Sequence, residues 1–262
     1  MQLFDTHAHL DQDAFDSDRP QVLARAAQAG VTRIVAVGVT RASSEACLKL
    51  AQPRGGKPPE VYAAVGIHPN HTAEAAADDW DRVVELAGRD RAVALGETGL
   101  DRHWDFAPFE LQQDYFQRHL ALSRATGLPV VIHTRDCDTD MLAMLRDAYR
   151  HGPLRGVMHS FVGDGAMAEE CIAMGLHISF AGMATYKKSD TIREVARAIP
   201  ADRLMVETDS PYLSPEPVRK VRRNEPAHVL HTAGRLAEVR GVTLAQLATQ
   251  TTANANRLFN IP

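Results

Sequence analysis

The stretch FDTHAHLD, Phe4–Asp11, places an aspartate and two histidines in what reads as the end of a short strand near the start of the chain. His7 and His9 are spaced i, i+2, which puts both rings on one face of an extended segment. Two histidines with no following linker are too few for a tag remnant. The question is whether other strand ends carry residues of the same kind.

Working outward, short apolar, β-branched runs recur along the chain. They are QLFD (2–5), TRIVAVG (32–38), VYAAVG (61–66), AVALG (92–96), PVVIH (129–133), GVMH (156–159), HISF (177–180) and RLMVE (203–207). Amphipathic stretches such as RPQVLARAAQAG and LQQDYFQRHLALSRATG lie between them, several ending in a glycine placed to cap a helix. Eight strands alternating with helices predict parallel βαβ units closing into a (β/α)₈ TIM barrel. A doubly wound open sheet is the structural alternative. Two further helices are expected near 226–239 and 243–258, after a Pro-rich basic loop. No linker rich in Gly or Ser divides the chain, so residues 1–262 are expected to form a single domain with extra C-terminal helices.

Composition narrows the function classes. With 45% apolar residues there is material for a large core, and a net charge of −4 excludes a global basic field for nucleic acid. Phosphate binding would therefore be local. Three widely spaced cysteines predict no disulfide framework and a cytoplasmic protein. No run is long enough to cross a bilayer, and no signal peptide or obligate protein partner is evident.

The polar residues then fall into a pattern. His7 and His9 follow the first strand, Glu97 the fourth, and Asp209 the eighth; His133 closes the fifth and His159 the sixth. In a barrel these ends converge on one mouth, where active sites form. Taken singly, each has an ordinary explanation: a hydrogen-bonded strand-end histidine, a helix N-terminal acid, an N-cap. Together, four histidines and two carboxylates suit two divalent ions with one carboxylate bridging them.

FDTHAHLD, VGIHPN, GETGLD, VVIHTRD, GVMHSF and VETDSPYL, in this order, resemble the TatD family of metal-dependent hydrolases, within the amidohydrolase-like TIM-barrel enzymes. The resemblance covers essentially the whole chain, to the closing NANRLFNIP. It implies a binuclear metal site and a deoxyribonuclease of 3′–5′ exonuclease type, with DNA or another phosphate ester as substrate. Carried over motif by motif, His7, His9 and Asp209 would hold one ion, Glu97 would bridge, and His133 and His159 would hold the second. The mixed N/O donor set admits Mg²⁺, Mn²⁺ or Zn²⁺. No lysine lies in the strand-4 motif to act as a carboxylated bridge, which leaves that role to Glu97.

Position and chemistry suggest roles around the ions. A metal-activated water is expected as nucleophile, with Asp209 accepting its proton. His68 is expected to hydrogen-bond the phosphate; Arg135 reads either as a clamp on it or as a surface partner of Asp136 or Asp138, and Asp5 either faces the mouth with His7 and His9 and orients a ligand histidine or merely ends the first strand. The family's Gly-x-His-Pro-His reads Gly66-Ile67-His68-Pro69-Asn70 here. Asn70 is therefore a substrate-side candidate that donates a hydrogen bond but carries no charge. Arg219, Lys220, Arg222 and Arg223 read either as a guide for a nucleic-acid backbone or as a solvated loop. Trp104, Phe106 and Tyr212 read as base platforms or as packing residues, and His103 as a substrate contact or a loop cap. Two other function classes remain open: a hydrolase of ester or amide bonds in small molecules or aminoacyl-RNA, and a non-catalytic metal-binding scaffold. Steep salt dependence favours the nuclease over the first of these.

Overall fold

The computed structural model describes residues 1–53 and 55–262. Eight parallel strands form one sheet in sequential order. They are β1 (Leu3–Ala8), β2 (Val31–Val37), β3 (Glu60–Val65), β4 (Ala92–Asp101), β5 (Val130–Arg135), β6 (Gly156–Met158), β7 (His177–Phe180) and β8 (Leu204–Val206). Seven helices cover the sheet: α1 (Arg19–Gln28), α2 (Arg41–Leu50), α3 (Asp79–Ala87), α4 (Phe109–Thr126), α5 (Asp138–Tyr149), α6 (Gly165–Ala173) and α7 (Asp190–Ala198). The (β/α)₈ reading holds, and the extra C-terminal helices are present as α8 (Val229–Arg240) and α9 (Leu244–Phe259).

The barrel closes through the same segments that carry the site. Ala8 bridges Ser210 in parallel register. The Asp209 N–H donates to the His7 carbonyl at 2.9 Å, and the His9 N–H to the Ser210 carbonyl at 2.8 Å. Closure therefore fixes the first and last motifs of the chain against each other.

Two apolar layers hold this frame. Inside the barrel, Phe4, Val35, Val37, Val131, Val157 and Met205 pack together, and Leu258 and Phe259 of α9 join the same cluster. Phe259 lies 5.9 Å from Phe4, centroid to centroid. Outside, the alternate strand residues Leu3, Ile34, Ala36, Ile132 and Ile178 meet the helices. This two-sided burial is why the strands read as nearly continuous apolar runs. It also leaves the opposite end of the barrel open for polar chemistry.

Two expectations are corrected here. His7, Glu97 and His133 lie within strands, because β1, β4 and β5 run past the expected ends. β4 extends through GETGLD because Thr98, Gly99, Leu100 and Asp101 pair in register with Ile132, His133, Thr134 and Arg135. Gly99, at φ +143°, permits this, since a Cβ there would run into the His133 carbonyl oxygen. The second correction concerns Asp5, which does not share a face with His7. The β1 register shifts between Asp5 and Ala8, which breaks the simple alternation. Thr6 instead meets Ser179 and Glu207. Asp5 turns to Thr208, accepting its N–H at 2.9 Å and its hydroxyl at 2.6 Å. It clamps β1 to the segment bearing Asp209 and touches no histidine ring.

At the other end of the barrel, His177 opens β7 in full burial. Burial, with Arg203 nearby, pushes its ring down to about 4. A histidine whose folded value lies below its unfolded value of about 6.5 is neutral in both states above that pH. Below it the unfolded chain takes a proton first, so stability falls until the folded ring protonates near 4. The His177→Leu variant is therefore expected to lose stability less steeply between pH 6.5 and 4, by up to about 1.4 kcal/mol per pH unit. Urea denaturation of both proteins across that range checks this. Parallel curves would remove the assignment.

Candidate metal centre

The histidine- and carboxylate-bearing motifs converge where the strand order predicts, at the C-terminal mouth of the barrel. His7, His9, His159 and Glu97 are buried, and Asp209 nearly so. His7 Nε2 and His9 Nε2 lie 3.2 Å apart. Glu97 Oε2 is 3.4 Å from the first and 3.5 Å from the second. Asp209 Oδ1 is 3.6 and 3.5 Å from the same two atoms. The other Glu97 oxygen, Oε1, faces His133 Nδ1 at 3.0 Å, His159 Nε2 at 2.9 Å and His68 Nε2 at 3.3 Å. Glu97 thus presents one oxygen to each of two histidine groups.

Among the described residues, three sets of side chains bring their ligand atoms within 4.8 Å of one another: His7, His9 and Glu97; His7, His159 and Asp209; and His68, Glu97 and His133. The backbone makes this possible at Asp209, whose φ of +57° lies in the left-handed region that Asp tolerates. Its carbonyl accepts the Tyr212 N–H at 2.9 Å, which holds the turn.

What surrounds each ring decides which nitrogen faces the cluster. His9 Nδ1 lies 3.1 Å from the Val37 carbonyl, which can only accept, so the neutral ring's lone pair sits on Nε2. His133 Nε2 donates to Asp101 Oδ2 at 3.0 Å, which leaves Nδ1 toward Glu97. His159 Nδ1 lies 3.3 Å from Glu207 Oε1, which directs Nε2 inward. A carboxylate or carbonyl behind His9, His133 and His159 is the arrangement that orients a metal-ligating histidine, whereas His7 Nδ1 is buried with no partner among the described residues. Asp101 is held in turn by the Asn70 side-chain amide and by the N–H groups of His103 and Trp104.

His68 differs. Its Nδ1 accepts the Asn70 N–H at 3.1 Å, so its proton sits on Nε2. Burial pushes the ring down to about 4, and it stays a neutral N–H donor. The preceding N–H, of Ile67, donates to His119 Nε2 at 3.2 Å, and His119 Nδ1 lies 2.7 Å from the Tyr115 carbonyl. His119, for which the sequence suggests no role, therefore anchors the His68 loop to α4.

The electrostatics agree with a cation site. Burial opposes ionisation of Glu97, yet the charge of His159 and the hydrogen bonds to His133 and His159 hold it well below the usual carboxylate range. Asp209 is also held low, against burial, by the neighbouring His9 and His7. Two buried anions ringed by imidazole lone pairs form a donor set suited to divalent ions. Four nitrogens and two carboxylates also match the expected stoichiometry of ligands.

The remaining candidates are placed as follows. Asn70 turns its amide toward Asp101 rather than into the cluster. Arg135 is exposed at the rim, over the Trp104 ring at 5.7 Å. Among the described residues it forms no ion pair with Asp136 or Asp138; Asp136 is instead bound by His103 at 2.9 Å. The basic loop divides. Arg223 is committed to Asp18 at 2.6 and 2.8 Å, and Arg219 lies 4.0 Å over the Tyr186 ring. Lys220 and Arg222 are exposed. Asp101, Glu207 and the Val37 carbonyl complete the site. Glu207 lies two residues before Asp209, but the sequence alone leaves it equally open to a neighbouring salt bridge. GETGLD contains Asp101, but nothing in the motif says which ring it meets.

The Asp101→Asn variant is expected to weaken metal affinity by about 10- to 100-fold, the usual effect of removing a carboxylate behind a ligand histidine. Metal titration read by calorimetry checks this. An unchanged affinity would mean that Asp101 does not orient His133.

Comparison with known proteins agrees with the geometry. The family model described as TatD related DNase matches residues 4–260. The chain is 38% identical over 259 residues to the uncharacterized metal-dependent hydrolase YabD of Bacillus subtilis, covering 99% of each chain. It is 35% identical over 263 residues to the 3′-5′ ssDNA/RNA exonuclease TatD of Citrobacter rodentium, covering 99% of this chain and 98% of that one. The crystal structure of YJJV, a TatD homologue from Escherichia coli, superimposes with a TM-score of 0.91 at 29% identity, covering 99% and 98% of the two chains. Sequence motifs, barrel and full-length similarity agree: the chain is a metal-dependent hydrolase and belongs to the TatD-related DNase family.

Proposed function

We propose that the whole chain works as one domain, a deoxyribonuclease of 3′–5′ exonuclease type with a binuclear centre. The observation that carries this reading is the division of Glu97, one oxygen toward His7 and His9 and the other toward His133 and His159. His7, His9 and Asp209 would hold one ion, His133 and His159 the second, and Glu97 both. Mg²⁺, Mn²⁺ and Zn²⁺ all suit this donor set. Bound divalent ions supply two things here: a lowered pKa for water and polarisation of the phosphoryl group.

The chain's own groups supply the rest. Asp209, ionised at the mouth, takes the proton released as water attacks phosphorus. His68, kept neutral, donates its Nε2–H to a non-bridging phosphoryl oxygen, where charge grows during attack. Arg135 at the rim pairs with a phosphate of the same strand. The enzyme named as an exonuclease in Citrobacter rodentium supports the nucleic-acid reading, while the Bacillus subtilis relative is named only as a metal-dependent hydrolase.

The test is a metal-replete assay of 3′-labelled single-stranded DNA beside small phosphate and carboxylic esters. Stepwise shortening from the 3′ end, weakening steeply as salt rises, is the expected result. Turnover of carboxylic esters alone, with flat salt dependence, would move the site to the ester-hydrolase class.

A further inference from the structure

We propose that Trp104 and Phe106, backed by Arg135, form a stacking platform for a nucleobase of a single-stranded nucleic acid at the rim of the site. This assignment rests on the nuclease reading above.

Trp104 is 46% exposed and Phe106 60% exposed, among the most exposed large apolar side chains of the chain. Their rings are nearly parallel, at 11° with centroids 5.4 Å apart. The rings are not packed into the core; they stack on each other with an offset, and the stacked pair stands exposed to solvent. His103 meets Trp104 edge-on at 4.8 Å, and His103 is itself tied to Asp136. The backbone is pinned as well, because the Trp104 N–H donates to Asp101 Oδ1 at 3.1 Å. The other oxygen of that carboxylate holds His133. The platform is thus two hydrogen bonds from a proposed metal ligand, on a turn that the same Asp101 fixes.

The occupant follows from chemistry and topology. A flat π-surface takes a flat π-partner, and every base offers one. The neighbouring cation, Arg135, shares a strand face with His133 by its i, i+2 spacing on β5. Its neighbour Arg102 is spent on Asp140 and Phe109, whereas Arg135 lies over Trp104 and forms no ion pair among the described residues. Asp105 is the one acidic side chain within the platform segment, and it is exposed. A ligand that alternates flat rings with phosphates fits an aromatic pair beside an uncommitted guanidinium. A second exposed aromatic, Tyr212 at 51%, follows β8, half-way round the barrel from β4. It meets His9 edge-on at 5.9 Å, and its hydroxyl is held by Gln12. A strand running between the two aromatic sites crosses Glu97. Duplex DNA cannot occupy both, since its bases are already stacked and paired.

The test compares a normal single-stranded oligonucleotide with one of the same length whose bases near the 3′ end are replaced by abasic linkers. Wild-type enzyme is expected to prefer the normal strand by about tenfold or more in kcat/KM, expressed in KM. In Trp104→Ala, and in Phe106→Ala, that preference collapses toward one, and Trp104→Tyr restores most of it. A preference that survives both alanine variants overturns the platform, as does equal loss on both strands, which would mark a structural role. Failure of the nuclease reading is distinct: wild-type enzyme would turn over small esters but neither strand. Fluorescence titration of Trp104 with oligothymidylate, in a Trp80→Phe background, then decides the platform alone. Saturable quenching supports it, and an unchanged spectrum overturns it.

Discussion

Replacing Glu97 with glutamine is expected to lower metal-dependent hydrolysis by roughly a thousandfold, the scale of losing one preorganised charge-stabilising group. Glutamine keeps the size of the side chain and removes its charge. Glu97 is buried, and its two oxygens face five imidazoles between 2.9 and 3.5 Å. An amide presents a single acceptor oxygen, and its NH₂ would point at one of the histidine groups. The two groups would then lose the anion they share. The readout is steady-state activity together with metal content, with circular dichroism as the control for folding. A folded Glu97→Gln enzyme with near-normal rate and full metal content would show that Glu97 bridges nothing.

The second large effect is expected at Asp209. The Asp209→Asn variant should lose about 10²- to 10⁴-fold in kcat, the range for removing a positioned proton acceptor. Asparagine also tolerates the left-handed backbone at φ +57°, and the N–H bond to His7 and the carbonyl bond from Tyr212 do not depend on charge. The turn therefore survives, and the lost rate reports on the carboxylate. Comparing kcat with metal content separates its two roles. If content is retained while kcat falls, Asp209 acts mainly on the proton. If both fall together, it acts mainly as a ligand. Near-normal kcat would remove it from the mechanism.

Much of this site is legible in the sequence. His7, His9, Glu97, His133, His159 and Asp209 were found because a parallel barrel gathers its strand ends, so residues far apart in sequence need only share a strand-end position. The supporting groups were harder to see. Asp101 meets His133 only because β4 runs on through GETGLD, a segment whose two glycines hide a strand behind poor β-propensity. Val37 reaches His9 through a backbone carbonyl, which carries no sequence signal. Simple alternation puts Asp5 on the face of His7, but the register shift between Asp5 and Ala8 depends on pairing with β2 and leaves no mark in the sequence. The basic loop was legible only as charge; its division into Arg223 bound to Asp18 and exposed Lys220 and Arg222 required the tertiary neighbours.

The central claim is that one carboxylate joins two ion sites, and metal stoichiometry tests it most directly. Wild-type protein and the Glu97→Gln variant would be dialysed to equilibrium against Mn²⁺ and, separately, Zn²⁺, and their metal content measured by atomic emission alongside activity. Two ions per chain at full activity are expected in the wild type, and loss of at least one in Glu97→Gln. Full activity with a single ion per chain, or two ions retained in Glu97→Gln, would contradict it.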